Sequence, residues 1–301
     1  MRIGIDLGGT KIAAAAIAED GSENANFRAL VPHAYDGTLN ELSRAIDTLE
    51  KECGQRAEAV GVSMPGAITS EGSILRAVNL PWMVGQPLRR DLSGRIGGRP
   101  VAIANDANCF ALSEAYDGAA AGAAVVFGVI LGTGVGGGVV VNGRAIAGAN
   151  AIAGEWGHNP LPWRRRGDGP TARCGCGRPG CIESWLNGAA LSRDYTRLSG
   201  KDAEAPQVVS NASAGEAAAM EAMDRYHDRL ARALASIVNM LDPDVIVLGG
   251  GLSDIPSLYQ AVPTLIDRYS QVPAPATQVV QAQHGPASGM RGAARLVPSA
   301  G

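Results

Sequence analysis

Ile5-Asp6-Leu7-Gly8-Gly9-Thr10-Lys11-Ile12, near the start of the chain, is partly repeated as Ile130-Leu131-Gly132-Thr133-Gly134, about 124 residues later. Each copy sets an apolar strand, a glycine–threonine turn and a second apolar strand in that order. A pair of such hairpins predicts a duplicated domain with a cleft between the copies. Around them, residues 3–6, 12–18, 59–63, 101–104, 125–131, 138–141 and 245–248 read as strands. Residues 38–52 carry Leu39, Leu42, Ile46 and Leu49 at helical spacing. Residues 106 to about 120 read as a helix. So do residues 215–241, with Met220, Met223, Leu230, Leu234, Ile237 and Leu241 assigned to the buried side and Asp242-Pro243 as the stop. Strands alternate with helices, so the class is α/β.

The 301 residues suit two domains, and 46% hydrophobic content with a net charge of −3 excludes a disordered chain. The same charge disfavours a nucleic-acid partner. The uncharged stretch 118–143 is long enough to span a bilayer, but Gly132, Gly134 and Gly136–Gly138 crowd its middle. It reads instead as two buried strands around a turn, so no membrane partner is expected. The opening Met-Arg-Ile-Gly-Ile-Asp is no signal peptide, and a soluble, cytoplasmic protein is expected.

Gly and Thr in a turn offer backbone N–H groups and a hydroxyl without bulk, which suits a polyphosphate; plain hairpin turns are the alternative. A P-loop does not fit Gly4–Lys11, because Thr10 rather than Lys follows Gly9 and a strand follows the turn. Gly132, Gly134 and Gly137 match G-x-G-x-x-G, yet a strand follows there too, so a dinucleotide site is not expected. Asp6, beside the first turn, could hold hydrated Mg²⁺ or cap the turn. Asp106 stands where a strand meets a helix. It reads as an N-cap or as a general base for an alcohol attacking a phosphoryl group, with Asn105 beside it suited to a sugar hydroxyl.

Five cysteines are present, and Cys174, Cys176 and Cys181 lie within eight residues. With His158 they make a Cys₃His set, the composition of a closed structural zinc site. A disulfide plus a free thiol, or thiol redox chemistry, are the alternatives. Glu155 and Glu183 flank the set and are candidate acceptors for sugar hydroxyls. Arg164-Arg165-Arg166 reads as solvated surface or as a contact for an anionic group. His33, His227 and His284 are expected to be surface or packing residues.

Taken in order, Asp6-Leu-Gly-Gly-Thr-Lys11, Asn105-Asp-Ala-Asn108, Leu131-Gly-Thr-Gly-Val-Gly-Gly-Gly138, Gly154-Glu-Trp-Gly-His158, Cys174-Gly-Cys176 through Cys181-Ile-Glu183 and Leu248-Gly-Gly-Gly251 closely resemble the motif set of the ROK family of bacterial sugar kinases and repressors. The resemblance spans essentially the whole chain. It implies the actin-like (hexokinase/ribonuclease H-like) fold: an N-terminal domain over 1–118, completed by a helix at about 288–301, and a C-terminal domain over 119–287 that carries the zinc loop. It implies Asp106 as the base for a hexose 6-hydroxyl, and Gly66, Asn79, Asn105, Glu155, His158 and Glu183 around the sugar. Asp6, Gly8, Gly9, Thr10, Lys11, Thr133, Gly134 and Gly136 would grip ATP and its Mg²⁺. Gly249, Gly250 and Gly251 would approach the adenosine, and His158, Cys174, Cys176 and Cys181 would bind structural Zn²⁺. A homodimer is implied as well.

Within the family, Gly157–Trp163 and Gly85-Gln86-Pro87-Leu88 look most like fructokinases and mannokinases, and residues 105–114 also look like N-acetylglucosamine kinases. Fructose is the favoured substrate, with mannose or glucose as side substrates and N-acetylglucosamine as the alternative. A sugar-responsive regulator is the other class; it would need a DNA-binding module of about 70 residues ahead of the first strand, and that strand is expected to begin at Ile3. A kinase-dead sensor would lack the base or the phosphate turn, and both are present.

Overall fold

The structure is a computed structural model and describes residues 1–297. The first half of the chain forms β1 (Arg2–Leu7), β2 (Lys11–Ile17), β3 (Glu23–Leu30), α1 (Tyr35–Cys53), β4 (Val60–Met64), β5 (Ala67–Ile68), β6 (Ile74–Arg76), α2 (Leu88–Arg95), β7 (Val101–Asn105) and α3 (Asp106–Asp117). Then come β8 (Val125–Leu131), β9 (Val135–Val141), β10 (Arg144–Ala145), α4 (Glu183–Leu186), α5 (Gly188–Ser199) and α6 (Ala205–Ser213). The last elements are α7 (Ala217–Leu241), β11 (Val245–Gly249), α8 (Ser257–Ile266), β12 (Gln278–Gln281) and α9 (Ser288–Ala294). Two compact units emerge among the described residues: Met1–Gly122 with Gly138–Gly154 and residues 283–297, and Ala123–Gly137 with Glu155–Ala282.

One sheet has the order β3-β2-β1-β4-β7 and another the order β10-β9-β8-β11-β12. The two orders correspond strand for strand. In both, a hairpin supplies the first strands, and later strands add in parallel to β1 or to β8. The duplication suggested by the two glycine hairpins is therefore a duplication of whole sheets.

In the first unit, α1 buries Leu39, Leu42, Ala45, Ile46 and Leu49 against the sheet, and β4 is buried throughout. Gly54 ends α1 at φ +63°, donating its N–H to Glu50 O and Lys51 O. Glycine decides how α9 packs. A Cβ on Gly61 of β4 would lie 1.7 Å from the Ala293 carbonyl oxygen, and one on Gly4 of β1 1.9 Å from that of Met290. On the helix itself, a Cβ on Gly292 would lie 1.8 Å from the carbonyl oxygen of Cys109 in α3. Backbones meet here with no side chain between them. The helix expected at about 288–301 is observed as Ser288–Ala294; the expected stretch beyond residue 297 lies outside the described residues.

In the second unit, α7 covers the span the sequence indicates, but its buried stripe differs. Met220 is 49% exposed, and Ile237 and Leu241 are only half-buried; Tyr226, His227, Arg229 and Arg232 take the interior places. The reason is electrostatic. Arg232 pairs with Asp168 and Asp228, and Arg229 with Asp194 and Asp168. Burial alone would raise the Asp168 carboxyl, yet the hydrogen bonds from Arg232 and the Arg165 backbone hold it below its ordinary value. The helix after β7 stops at Asp117 rather than near 120, and β9 begins at Val135 rather than Gly138, so the second turn is confined to Gly132–Gly134. Strands β3, β5, β6, β10 and β12 and helices α2, α4, α5, α6 and α8 had no clear signal in the sequence. No helix among the described residues is long and apolar enough to cross a membrane.

Gly61→Ala is expected to cost about 2 kcal/mol or more, since a methyl cannot displace backbone cheaply. Gly94→Ala in α2, where a Cβ would meet nothing within 4 Å, should be neutral or stabilising; urea denaturation of both variants makes the comparison. Asp168→Ala, which strips the fully buried Arg232 of one partner, is expected to cost about 3 kcal/mol. Because the folded Asp168 titrates below its ordinary value, its contribution is present above that value and fades as pH falls through the lowered one. The wild-type advantage over Asp168→Ala should therefore shrink in acid denaturation.

Candidate functional site

Two glycine turns close the β1–β2 and β8–β9 hairpins. In the first unit, Gly8 N–H donates to Lys11 O at 3.0 Å, which tightens the Gly8–Lys11 turn and leaves Thr10 and Lys11 exposed. A Cβ on Gly9 would lie 3.0 Å from that of Asn79, so Asn79 packs against the turn. Asp6 is the penultimate residue of β1 beside it, and Ser63 Oγ of β4 donates to Asp6 Oδ1 at 2.9 Å. Burial raises the Asp6 carboxyl above its usual value, and the Ser63 hydrogen bond offsets only part of that. A half-buried carboxylate with a hydroxyl neighbour is an oxygen donor set suited to a hard divalent cation.

At the carboxyl end of β7 the sequence reading needs one correction. Asn105, not Asp106, caps α3: its Oδ1 accepts from Ala107 N–H at 2.9 Å. Its Nδ2 donates to Gly66 O at 3.0 Å, so both ends of the amide are fixed. Gly66 has φ +126°, and a Cβ there would lie 1.9 Å from Arg76 O, so only glycine fits. Asp106 is the first residue of α3, with Oδ1 accepting from Ala107 N–H at 2.8 Å. Gly66, Asn105 and Asp106 thus form one hydrogen-bonded group, while Asp6 leads into the Gly8–Lys11 turn against which Asn79 packs, all within the first unit.

In the second unit, Gly132 N–H donates to Gly134 O at 3.0 Å, and the turn is held from outside by Asn187 Nδ2 to Thr133 O at 3.2 Å and by Gly188 N–H to Gly132 O at 3.0 Å. Gly136 lies inside β9, where its carbonyl accepts from Trp156 Nε1 at 2.9 Å. Gly250, with φ +81°, crosses the end of β8 so closely that a Cβ would lie 2.4 Å from Leu131 O. Gly249–Gly251 and the Gly132–Gly134 turn therefore share one sheet edge, at the carboxyl ends of β8 and β11. That edge is where ligands bind in open α/β sheets.

The ligand atoms of His158, Cys174, Cys176 and Cys181 all lie within 4.8 Å of one another. Cys174 Sγ is 3.4 Å from His158 Nδ1, and Cys176 Sγ is 3.6 Å from Cys181 Sγ. A tetrahedral ion with S and N ligands at about 2.3 and 2.0 Å requires separations of roughly 3.5–3.8 Å, so the cluster fits one. His158 presents Nδ1 to the cluster, while Nε2 faces Glu155 at 3.8 Å. One ring can thus serve an ion on one side and a hydroxyl on the other. Glu183 is shared: Oε1 is 3.1 Å from Cys174 Sγ, and Oε2 accepts from Val135 N–H at 3.1 Å. Glu155 is exposed.

A model of the ROK family matches residues 2–300. The chain belongs to the ROK family. It is 40% identical over 301 residues to an N-acetyl-D-glucosamine kinase of Pectobacterium carotovorum subsp. carotovorum, covering 98% of both chains. It is also 40% identical over 302 residues to one of Photobacterium profundum, covering 98% and 99%. Among solved structures it is similar to the ROK hexokinase of Thermus thermophilus, with a TM-score of 0.85, 34% identity and 98% and 97% coverage. The fold is the actin-like fold of ROK sugar kinases, and the chain is a sugar kinase.

Sequence reasoning missed Ser63, Asn187 and the Val135 N–H. Ser63 had a signal, as the one hydroxyl in the apolar run Val60-Gly-Val-Ser-Met64; a backbone N–H has none. His284 and His227 are packing residues, on Asp117 and Ser257 respectively, and His33 stands beside Trp82. Of the arginine run, Arg165 is tied to Tyr269 and Asp228, and Arg164 lies over Trp185.

Glu183→Ala would leave the Val135 N–H without its acceptor and is expected to cost about 1–3 kcal/mol in urea denaturation. Cys181→Ser should abolish a one-per-chain metal content, measured by elemental analysis of the purified protein, that the wild type retains through dialysis.

Proposed function

We propose that the chain is an N-acetyl-D-glucosamine kinase that transfers the γ-phosphoryl group of ATP to the sugar's 6-hydroxyl. The observation that carries this reading is the likeness to N-acetyl-D-glucosamine kinases at 40% identity over 98% of both chains. The fructokinase preference read from the sequence rests on short segments around Gly85–Leu88 and Gly157–Trp163. A full-length likeness outweighs these.

In this reading Asn105 and Gly66 receive the sugar in the first unit, and His158 Nε2, Glu155 and Glu183 are its partners in the second. Asn79 packs against the Gly8–Lys11 turn, which with Thr133–Gly134 supplies N–H groups and hydroxyls to the phosphates; Gly249–Gly251 leaves room for the adenosine. The Asp106 carboxylate takes the proton of the 6-hydroxyl as the O6–P bond forms and the bond from Pγ to the bridging oxygen breaks. Asp6, steadied by Ser63, would hold the Mg²⁺ that accompanies ATP and spreads phosphate charge. The Cys₃His set would hold a structural zinc ion with no open ligand position; its work is to fix His158 and Glu183.

Purified protein assayed with ATP against N-acetylglucosamine, glucose, mannose, fructose and N-acetylmannosamine should give its highest kcat/KM with N-acetylglucosamine. Asp106→Asn should lower kcat by about 10²–10⁴-fold while sugar affinity changes only a few-fold. A higher kcat/KM for fructose would reverse the substrate assignment. A folded Asp106→Asn that kept full activity would remove the base.

A further inference from the structure

The segment between His158 and Cys174 is supported by side chains of α7. Arg232 of that helix is fully buried, and Arg229 is 2% exposed. Arg232 Nη1 donates to Trp163 O and to Asp168 Oδ2, both at 3.0 Å, and Nη2 donates to Asp168 Oδ1. Asp168 Oδ2 also accepts from Arg165 N–H at 2.7 Å, and Arg229 Nη2 donates to Asp168 O at 2.8 Å. The same helix holds the chain beyond Cys181. The Arg229 guanidinium lies over the Trp185 ring, 5.2 Å from its centroid, and the Tyr226 hydroxyl donates to Leu186 O at 2.8 Å. Trp185 Nε1 in turn donates to Gly180 O at 3.3 Å, next to Cys181. Helix α7 therefore grips the chain on both sides of the three cysteines.

We propose that Arg229 and Arg232 are positioning residues for the metal site. They hold both arms of the loop so that His158, Cys174, Cys176 and Cys181 stand close together before an ion binds. The proposal rests on the zinc reading of the Cys₃His set and deepens it. Many small metal-binding domains are unfolded until the ion binds, because nothing else gathers their ligands. Here a packed helix does so. A buried ion pair is a poor source of stability, since desolvation offsets most of its attraction and apolar residues of similar volume often serve as well. Apolar residues do not supply direction. A planar guanidinium that meets the Trp163 carbonyl and both Asp168 oxygens fixes the path of the loop at two separate points. The loop then loses its conformational freedom on folding rather than on metal binding, and this tightens the metal.

The test uses the full chain, stripped of metal by a chelator and then titrated with zinc. Asp168→Leu/Arg232→Met replaces both partners of the central pair by apolar side chains, so it is expected to fold. Gly61→Ala, in the other unit, is the destabilised control. Hydrogen exchange of residues 159–186 is followed in the metal-free proteins, and zinc affinity is measured by competition with a chelator. The metal-free wild type should keep this segment protected. The double variant should lose that protection and bind zinc about tenfold more weakly or worse, while Gly61→Ala stays within a few-fold of wild type. Loss of protection in the metal-free wild type, with the rest of the chain still folded, overturns the proposal. So does wild-type zinc affinity in the double variant, or an equal loss of affinity in Gly61→Ala. If the double variant does not fold, the metal-free wild type decides alone. A wild type that takes up no zinc sinks the zinc reading instead. Protection of residues 159–186 that the double variant loses then still supports α7 as the element that gathers the four side chains, and its absence ends that role.

Discussion

Glu183 reaches in two directions with one carboxylate. One oxygen lies 3.1 Å from the Cys174 sulfur and the other 3.1 Å from the Val135 backbone nitrogen, the first residue of β9 after the glycine turn. Much of the second unit's site hangs on that bridge. The loop carrying Cys174, Cys176 and Cys181 has little secondary structure of its own, and glycines separate its cysteines. The Cys₃His cluster ties the loop to His158. Glu183 then ties the cluster to the turn where phosphates are proposed to sit, and a Cβ on Gly134 would lie 2.9 Å from Glu183 Oε2, so a larger residue there would push that carboxylate aside. The groups proposed for sugar and for nucleotide share a single rigid support.

The first unit solves a similar problem without a metal. Asn105 is fixed at both ends of its amide, by the α3 backbone and by Gly66 O, and Asp106 follows at the head of the helix. Division of labour explains the arrangement. The Ala107 N–H is shared between Asn105 Oδ1 and Asp106 Oδ1, so the helix start keeps its cap from Asn105 when the carboxylate turns to another partner.

Much of this was legible in the sequence. The glycine–threonine hairpins, the Asn105–Asp106 junction and the Cys₃His set are local patterns, and local patterns survive in one dimension. The α/β class and α7 were visible for the same reason. The buried face of α7 was not, because hydrophobic periodicity places Met220 inside and Arg232 outside. The structure reverses them, since Asp168, 64 residues away in sequence, pays for the arginine's burial. Sugar preference was the least legible feature, because the groups proposed for the sugar come from separate segments.

The glycine contacts of α9 bear on the order in which the chain can be built. Gly4 and Gly61 offer bare backbone for a helix made of residues 288–294, and those residues are synthesised after every strand that they cover. Until they emerge, β1 and β4 carry an uncovered strip where the helix will lie, although their partners β2 and β7 have long been available. The first unit, though begun first, is therefore completed only after the residues of the second have been made. A nascent chain halted anywhere before residue 288 would hold a five-stranded sheet with one face still incompletely covered, the kind of surface that chaperones recognise.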